Sequence, residues 1–308
     1  MPAWIFQATW PARIVDSTRC LSGMNILSIQ SAVAYGHVGN SSAVFPLQRL
    51  GAEVWPINTV QFSNHPGYGA HTGSVTPPET IRALIEGIEA RGVLPSCAAL
   101  LTGYIGDPRT GQAVLHAATR LRAANPAALW CCDPVIGDDG PGIYVRPGIE
   151  PFFRDQAVPQ ADILTPNQFE LALITGSECA SEAGLRHAIA ALQSRMRATG
   201  PRIVLVTSVR TQATPAGALD MFAASSSLHR VRTPLLPISV NGAGDAIAAV
   251  FLFHILRSAD AAHALGMAAS ALYGVLSATL AAGSRELLTV AAQAEFVNPS
   301  RYFAAEAA

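Results

Sequence analysis

Six consecutive residues, Val240-Asn241-Gly242-Ala243-Gly244-Asp245, combine the types that phosphoryl chemistry needs: two glycines about an alanine, then an acid. Ala246 to Leu256 follows, and only His254 in that run is polar. The pattern predicts a tight turn opening a buried helix. Glycines let successive backbone N–H groups converge on one point, and a helix start adds unpaired donors and the positive end of its dipole. Gly242, Ala243 and Gly244 therefore make a candidate anion site, with phosphate as the usual guest. A carboxylate at its rim repels phosphate, so Asp245 needs another use. Taking the proton from an attacking hydroxyl is the chemistry that fits. The bland alternative is a plain turn with Asp245 as an N-cap or first-turn residue. The turn is neither a Walker A loop nor a Rossmann G-x-G-x-x-G.

Such a turn needs a scaffold, and strand-like runs alternate with helical ones along the chain. Strands are expected at 26–29, 54–57, 98–101, 128–132, 163–164 and 202–206. Helices are expected at 40–50, 78–91, 111–124 and 181–197. In 78–91 the apolar residues Ile81, Leu84, Ile85 and Ile88 follow the 3.6-residue period. A long Gly/His/Asn loop spans 62–73. Residues 219–232 read as a hairpin turning at Ser225-Ser226-Ser227, and two helices starting at Asp245 and near Asp260 close the chain. This β–α alternation with continuous apolar strands predicts an α/β fold, a mostly parallel sheet with helices on both faces. Ligands gather at the carboxyl ends of such strands. Polar residues fall there five times: Gln30 and Ser31, Thr102 and Tyr104, Asp133, Thr165 and Asn167, Thr207 and Ser208. One alone is ordinary turn chemistry; five suggest a shared site.

Composition narrows the options. Apolar residues are 50% of the 308 and charged ones 13%, so the chain is core-rich. A net charge of −1 without a basic run argues against a nucleic-acid partner. All 20 basic residues are arginine. With no lysine, no mechanism can run through a lysine Schiff base. The 5 cysteines form no C-x-x-C, so neither a disulfide framework nor a zinc site is expected, and a reducing cytoplasm fits. Cys131 and Cys132 are expected to alternate across a strand. Residues 264–282 carry no charge and are long enough to cross a bilayer. They are mostly small residues, so a tightly packed helix is expected rather than a membrane span. Residues 1–23 lack the clean strand pattern that opens at Met24. They read as an extension, disordered or from a mis-assigned start, before a single domain at 24–308; they lack the features of a signal peptide.

Several stretches together are specific. Ser28-Ile29-Gln30-Ser31, Tyr35-Gly36-His37-Val38-Gly39-Asn40, Asn58 to His65, Thr102-Gly103-Tyr104, Cys132-Asp133-Pro134-Val135 and the G-A-G-D turn resemble the pyridoxal kinase family of the ribokinase superfamily, from Met24 to about Tyr302. The resemblance implies a ribokinase-like three-layer α/β/α fold. It implies ATP-dependent phosphorylation of the 5′-hydroxymethyl group of a vitamin B6 compound in salvage, with ATP as co-substrate and magnesium as cofactor. It leaves a monovalent cation open, and it implies a cytoplasmic homodimer. Asp245 takes the place of the catalytic base and the amides of Gly242–Gly244 that of the phosphoryl-holding group. Ser31, His65, Pro66, Gly67 and Tyr104 fall about the vitamer. Asp133, Asp138, Thr165, Glu170 and Thr207 fall about the nucleotide, and Arg230, Val231, Arg232 and Thr233 along its adenosine side. Asp133 and Glu170, the latter in Asn167-Gln168-Phe169-Glu170, match the magnesium positions. For Glu170 the alternative is a solvated first-turn helix carboxylate.

Two positions depart from the family pattern. Ala32 stands where histidine is common and Pro66 where threonine is common, which puts the choice of vitamer in question. Two competitors are a hydroxymethylpyrimidine kinase, a branch that often has cysteine in the place of Asp245, and a weak or inactive vitamer-binding protein.

Overall fold

The computed structural model describes residues 24–308; the expectation for residues 1–23 lies outside the described residues. In order, the chain runs β1 (Met24–Val33), α1 (Asn40–Arg49), β2 (Ala52–Phe62), β3 (Gly73–Val75), α2 (Pro78–Glu89), β4 (Cys97–Thr102), α3 (Thr110–Ala124), β5 (Leu129–Cys132), β6 (Gly137–Asp138), β7 (Gly142–Ile143), α4 (Ile149–Phe152), β8 (Ile163–Leu164), α5 (Gln168–Thr175), α6 (Glu182–Arg195), β9 (Ile203–Val209), β10 (Ala218–Ala224), β11 (Leu228–Pro234), α7 (Ala243–Ser258), α8 (Ala261–Ala281), α9 (Ala294–Val297) and β12 (Glu306–Ala307).

A 10-stranded sheet has the order β12-β11-β10-β9-β8-β5-β4-β1-β2-β3. Its centre, from β2 through β1, β4, β5 and β8 to β9, is parallel. The edges are antiparallel: β3 on β2, and β10, β11 and β12 beyond β9. Helices cover both faces. Leu27, Leu100, Trp130, Cys132 and Val204 face a core built with α2, α3, α5 and α6. Ile26, Ala99, Leu101, Cys131 and Leu205 face a second core built with α1, α7 and α8. The neighbours Cys131 and Cys132 thus point to opposite faces, as strand alternation requires. The outcome is the three-layer α/β/α arrangement that the sequence implies. Being buried on both sides is why the central strands are apolar throughout.

The chain leaves β1 outward to β2 and β3, then returns inward to β4. This reversal puts a crevice at the carboxyl ends of β1 and β4. Ser31, at the end of β1, and Tyr104, just beyond β4, flank it.

α7 is buried all round from Ala246 to Ile255. It packs on α1 and α8, which explains its lack of a polar face. α8 is the one helix among the described residues long and apolar enough to cross a membrane, and 61% of its most apolar window is buried inside the protein. It packs against α7, α9, β10 and β11, the packed-helix outcome. Two details differ from the sequence expectation. The stretch 137–142, for which no strand was expected, forms a small hairpin, β6–β7, with two paired positions. The first two strands run further than expected, β1 by reaching Val33 and β2 by reaching Phe62. Pairing with each other carries them past the apolar runs.

Candidate active site

Gly242 is the pivot of the turn before α7. Its φ is 86°, and a side chain there would run into the carbonyl of His37. Glycine alone meets both demands. The Ser42 hydroxyl donates to the Gly242 carbonyl at 2.7 Å, fixing the turn from α1. Helical pairing resumes with the Ala246 N–H on the Gly242 carbonyl at 3.0 Å. The N–H groups of Ala243 and Gly244 have no hydrogen-bond partner among the described residues. A side chain at Gly244 would meet open space. Two amides without a partner at a helix start are the kind of group that could hold an anion.

Asp245 lies in the first turn of α7 and does not cap it. Its Oδ2 accepts the Gly39 N–H at 2.8 Å. Gly39 has a φ of 54° and sits against the Ser31 carbonyl, again a place for glycine only. Burial raises the Asp245 carboxyl above its ordinary range, while the Gly39 N–H pulls the other way.

Asp133 faces it from the end of β5. It is buried, and the Thr165 hydroxyl, at the end of β8, donates to its Oδ1 at 2.9 Å. Burial pushes the Asp133 carboxyl well up, and the charges of Glu170 and Asp245 push it further. Glu170 completes the group from the first turn of α5. It and Asn167 form a reciprocal capping box: the Glu170 N–H donates to Asn167 Oδ1 at 2.8 Å and the Asn167 N–H to Glu170 Oε2 at 3.0 Å. Glu170 Oε1 also accepts the N–H of Ile136 at 2.8 Å and of Gly137 at 3.3 Å. Glu170 is 4% exposed, which overturns the solvated-helix alternative. Its carboxyl is pushed up to about 7, chiefly by burial.

None of the ion pairs among the described residues uses Asp133, Glu170 or Asp245. The three carboxylates have no cation paired with them, yet no group of three or more His, Cys, Asp or Glu side chains among the described residues is arranged to hold a metal ion by itself. Magnesium needs only one or two protein carboxylates, because water and phosphate oxygens supply the rest, and Asp133 and Glu170 are of that chemistry.

The remaining expected residues sort by place. Asp138 is exposed on β6, its carboxylate accepting the Asp139 N–H at 2.9 Å. Thr207 joins the same rim, bridging to Asn167 across β9. On the opposite side, His65 caps a short 3₁₀ turn, Pro66–Tyr68, and its Nδ1 accepts the Gly67 N–H at 3.1 Å. Burial lowers the His65 pKa, and with Nδ1 accepting from Gly67 the nitrogen left for a ligand is Nε2. The Tyr104 carbonyl is held by the Thr59 hydroxyl at 2.6 Å.

Three residues of the expected adenosine side are otherwise engaged. Val231 is fully buried in the second core. Arg232 makes a two-pronged pair with buried Asp220, at 2.6 and 2.7 Å. Arg230 pairs with Glu182 and Glu306. Strand alternation sends Val231 inward and the arginines to carboxylates on neighbouring elements. Thr233, buried opposite Leu219, lies at the end of β11 that shares the active edge of the sheet.

One contributor escapes sequence reasoning. The Gly39 amide holds Asp245, yet a backbone donor carries no residue-type signal.

The sequence model of the phosphomethylpyrimidine kinase family matches residues 57–289. The pyridoxal kinase PdxY of Granulibacter bethesdensis is 60% identical over 284 residues, covering 92% of this chain and 99% of that protein. The pyridoxal kinase PdxY of Deinococcus radiodurans is 51% identical over 295 residues, covering 95% and 99%. Among solved structures, the pyridoxal kinase from Leishmania donovani in complex with ADP and pyridoxine superposes with a TM-score of 0.83 at 30% identity, covering 91% of this chain and 98% of that one. The same kinase in complex with ADP and pyridoxamine superposes with a TM-score of 0.82.

Proposed function

The chain belongs to the pyridoxal kinase family, with its ribokinase-like fold, and phosphorylates a vitamin B6 compound with ATP; from that premise we propose how its residues divide the work. The 5′-hydroxymethyl oxygen of the vitamer attacks the γ-phosphorus of ATP. A new O–P bond forms, the bond to the β,γ-bridging oxygen breaks, and ADP leaves. The hydroxyl proton passes to the Asp245 carboxylate. Burial makes that carboxylate more basic than an exposed one, which suits it to the task. The N–H groups of Ala243 and Gly244, with Gly242 setting their direction, receive charge that develops on the transferring group. Each such donor contributes about 3 kcal/mol in comparable sites.

The observation that carries this reading is the pairing of one gripped acid with two ungripped amides. Asp245 is fixed by Gly39, while Ala243 and Gly244 donate to nothing among the described residues. Ser31, His65, Pro66, Gly67 and Tyr104 line the vitamer side, with His65 Nε2–H as a donor. Asp133, Asp138, Thr165, Glu170, Thr207 and Thr233 form the nucleotide side. Magnesium would be held at Asp133 and Glu170, where it would neutralise phosphate charge. We read the protein further as a cytoplasmic homodimer, for which sedimentation at twice 32.2 kDa is the check.

A coupled ADP-release assay on pyridoxal, pyridoxine, pyridoxamine and hydroxymethylpyrimidine tests the assignment. Turnover of at least one B6 compound, faster than of the pyrimidine, is expected. Preferred turnover of hydroxymethylpyrimidine would move the chain to the pyrimidine branch, whose family model it also matches. Vitamer binding without turnover would make it a binding protein.

A further inference from the structure

We propose that Glu286 is a positioning residue for the transfer, acting through Tyr68 and His37. Its carboxylate fastens the loop that carries His65 to the strip of backbone that holds Asp245. The proposal rests on the functional reading above, since it assigns the loop to the vitamer and the strip to the phosphate.

Glu286 lies beyond α8, far from both segments in sequence, and is half-buried. Its Oε1 accepts the hydroxyl of Tyr68, the last residue of the 3₁₀ turn that His65 caps. Its Oε2 accepts the His37 N–H at 3.3 Å. The His37 carbonyl, on the same residue, is the group pressed against Gly242. Two residues on, the Gly39 N–H holds Asp245 at 2.8 Å. One carboxylate therefore bridges the vitamer loop and the short segment that sets both the phosphate turn and the base.

The surroundings are shaped for this contact. Gly36 has a φ of 95°, and any side chain there would occupy the place of the Glu286 carboxylate. The Arg285 carbonyl lies 3.2 Å from the Tyr68 hydroxyl, whose one proton goes to the shorter contact with Glu286, and the Arg285 guanidinium lies 5.4 Å from the Tyr68 ring centre. Yet Pro66, Gly67, Gly69 and Ala70 are exposed, so the loop is fastened at Tyr68 and open around it. A loop held this way can release a vitamer when one contact parts and restore the geometry when it re-forms.

The test has two arms, read on Tyr68→Phe, Glu286→Ala, Glu286→Gln and the Tyr68→Phe/Glu286→Ala pair. The first arm needs no turnover. In the ligand-free protein, amide exchange at Tyr68 and Gly69 should quicken about tenfold in Tyr68→Phe and Glu286→Ala, the size of one lost hydrogen bond to a charged group. The second arm is kinetic. The vitamer KM should rise about tenfold in Tyr68→Phe while the ATP KM stays within about twofold. Glu286→Ala should also lower kcat, because His37 loses its anchor. Glu286→Gln keeps a carbonyl oxygen for the tyrosine and should recover most of the vitamer KM.

The pair should match Glu286→Ala alone, since both changes cut one link. Unchanged exchange in both single variants would overturn the proposal. So would equal rises in the vitamer and ATP KM values, or a pair whose effects multiply. Tyr68→Phe removes one hydroxyl and keeps the ring, so it decides the matter even if Glu286→Ala fails to fold. Should the wild-type protein turn over no vitamer, the functional reading fails, and the exchange arm still judges the link.

Discussion

Asp162 and Asp133 sit on neighbouring parallel strands, at opposite ends of the sheet. Asp162, just before β8, is fully buried. It accepts from Arg122 at 2.9 Å, from Arg197 at 2.6 Å and from the Trp130 N–H at 2.8 Å. Asp133, just after β5, is also buried, and its side-chain partner is one threonine hydroxyl, with two more acids beside it. Removing a carboxylate from water is costly unless charge and hydrogen bonds replace the water. At the amino end of the sheet the protein supplies two guanidinium groups. At the carboxyl end no ion pair among the described residues reaches Asp133, and on the functional reading proposed above a cation with its nucleotide would cancel that deficit. Both acids are buried. The counter-charge separates them.

The largest expected effect sharpens that contrast. Asp245→Asn should lower kcat by about 10²–10⁴-fold, the range for a lost general base, while nucleotide still binds and thermal stability holds or rises. Near-normal turnover would remove Asp245 from the proton transfer. At the other end, Asp162→Ala should cost roughly 3 kcal/mol of folding stability, toward the low end for a broken buried pair. The arginines keep 21% and 23% of their side-chain surface in water, which limits the penalty. Activity per folded molecule should persist, and a denaturant titration beside an active-site count checks both.

Next in size is the pH response. Raised carboxyls bind protons more tightly in the folded state, so their contribution is full below their ordinary pKa near 4. It is lost as pH rises through the folded value, about 7 for Glu170. The ligand-free protein should therefore melt lower at pH 8 than at pH 5.5, at ~2–4 °C per kcal/mol. Magnesium with nucleotide should restore more at pH 8 than at pH 5.5, and Glu170→Gln should flatten the slope. A flat profile in the wild-type protein would mean that the acids are not in deficit. The smallest effect belongs to Arg230→Ala, whose partly exposed pairs are worth under about 1 kcal/mol. Its ATP KM should stay unchanged; a marked rise would return Arg230 to the nucleotide side.

What the sequence disclosed follows the same division. The turn at Gly242 and the buried helix after it were readable from two glycines before an apolar run. The meeting of Asp133 and Thr165 was readable because they end strands in a parallel sheet. The residues proposed for the vitamer came through family likeness, not through their own chemistry. What stayed hidden depends on distant partners. The Gly39 amide meets Asp245 across 206 positions. Glu170 looked like a surface cap until the backbone at Ile136 and Gly137 closed over it. The pairing of Arg232 with Asp220 depends on hairpin register, which a charge on a strand does not reveal. The β6–β7 hairpin is too short for any propensity to mark it.

α7, wrapped on every side, has a consequence for synthesis. A ribosome that has not reached residue 243 has made the whole parallel sheet, but Ile26, Leu101, Cys131 and Leu205 still lack the helix that covers them. The emerging polypeptide is then a sticky half-product in need of a chaperone. Docking of α7 and then α8 ends that exposure, and on the reading proposed above the first of these helices brings Asp245 into place in the same event.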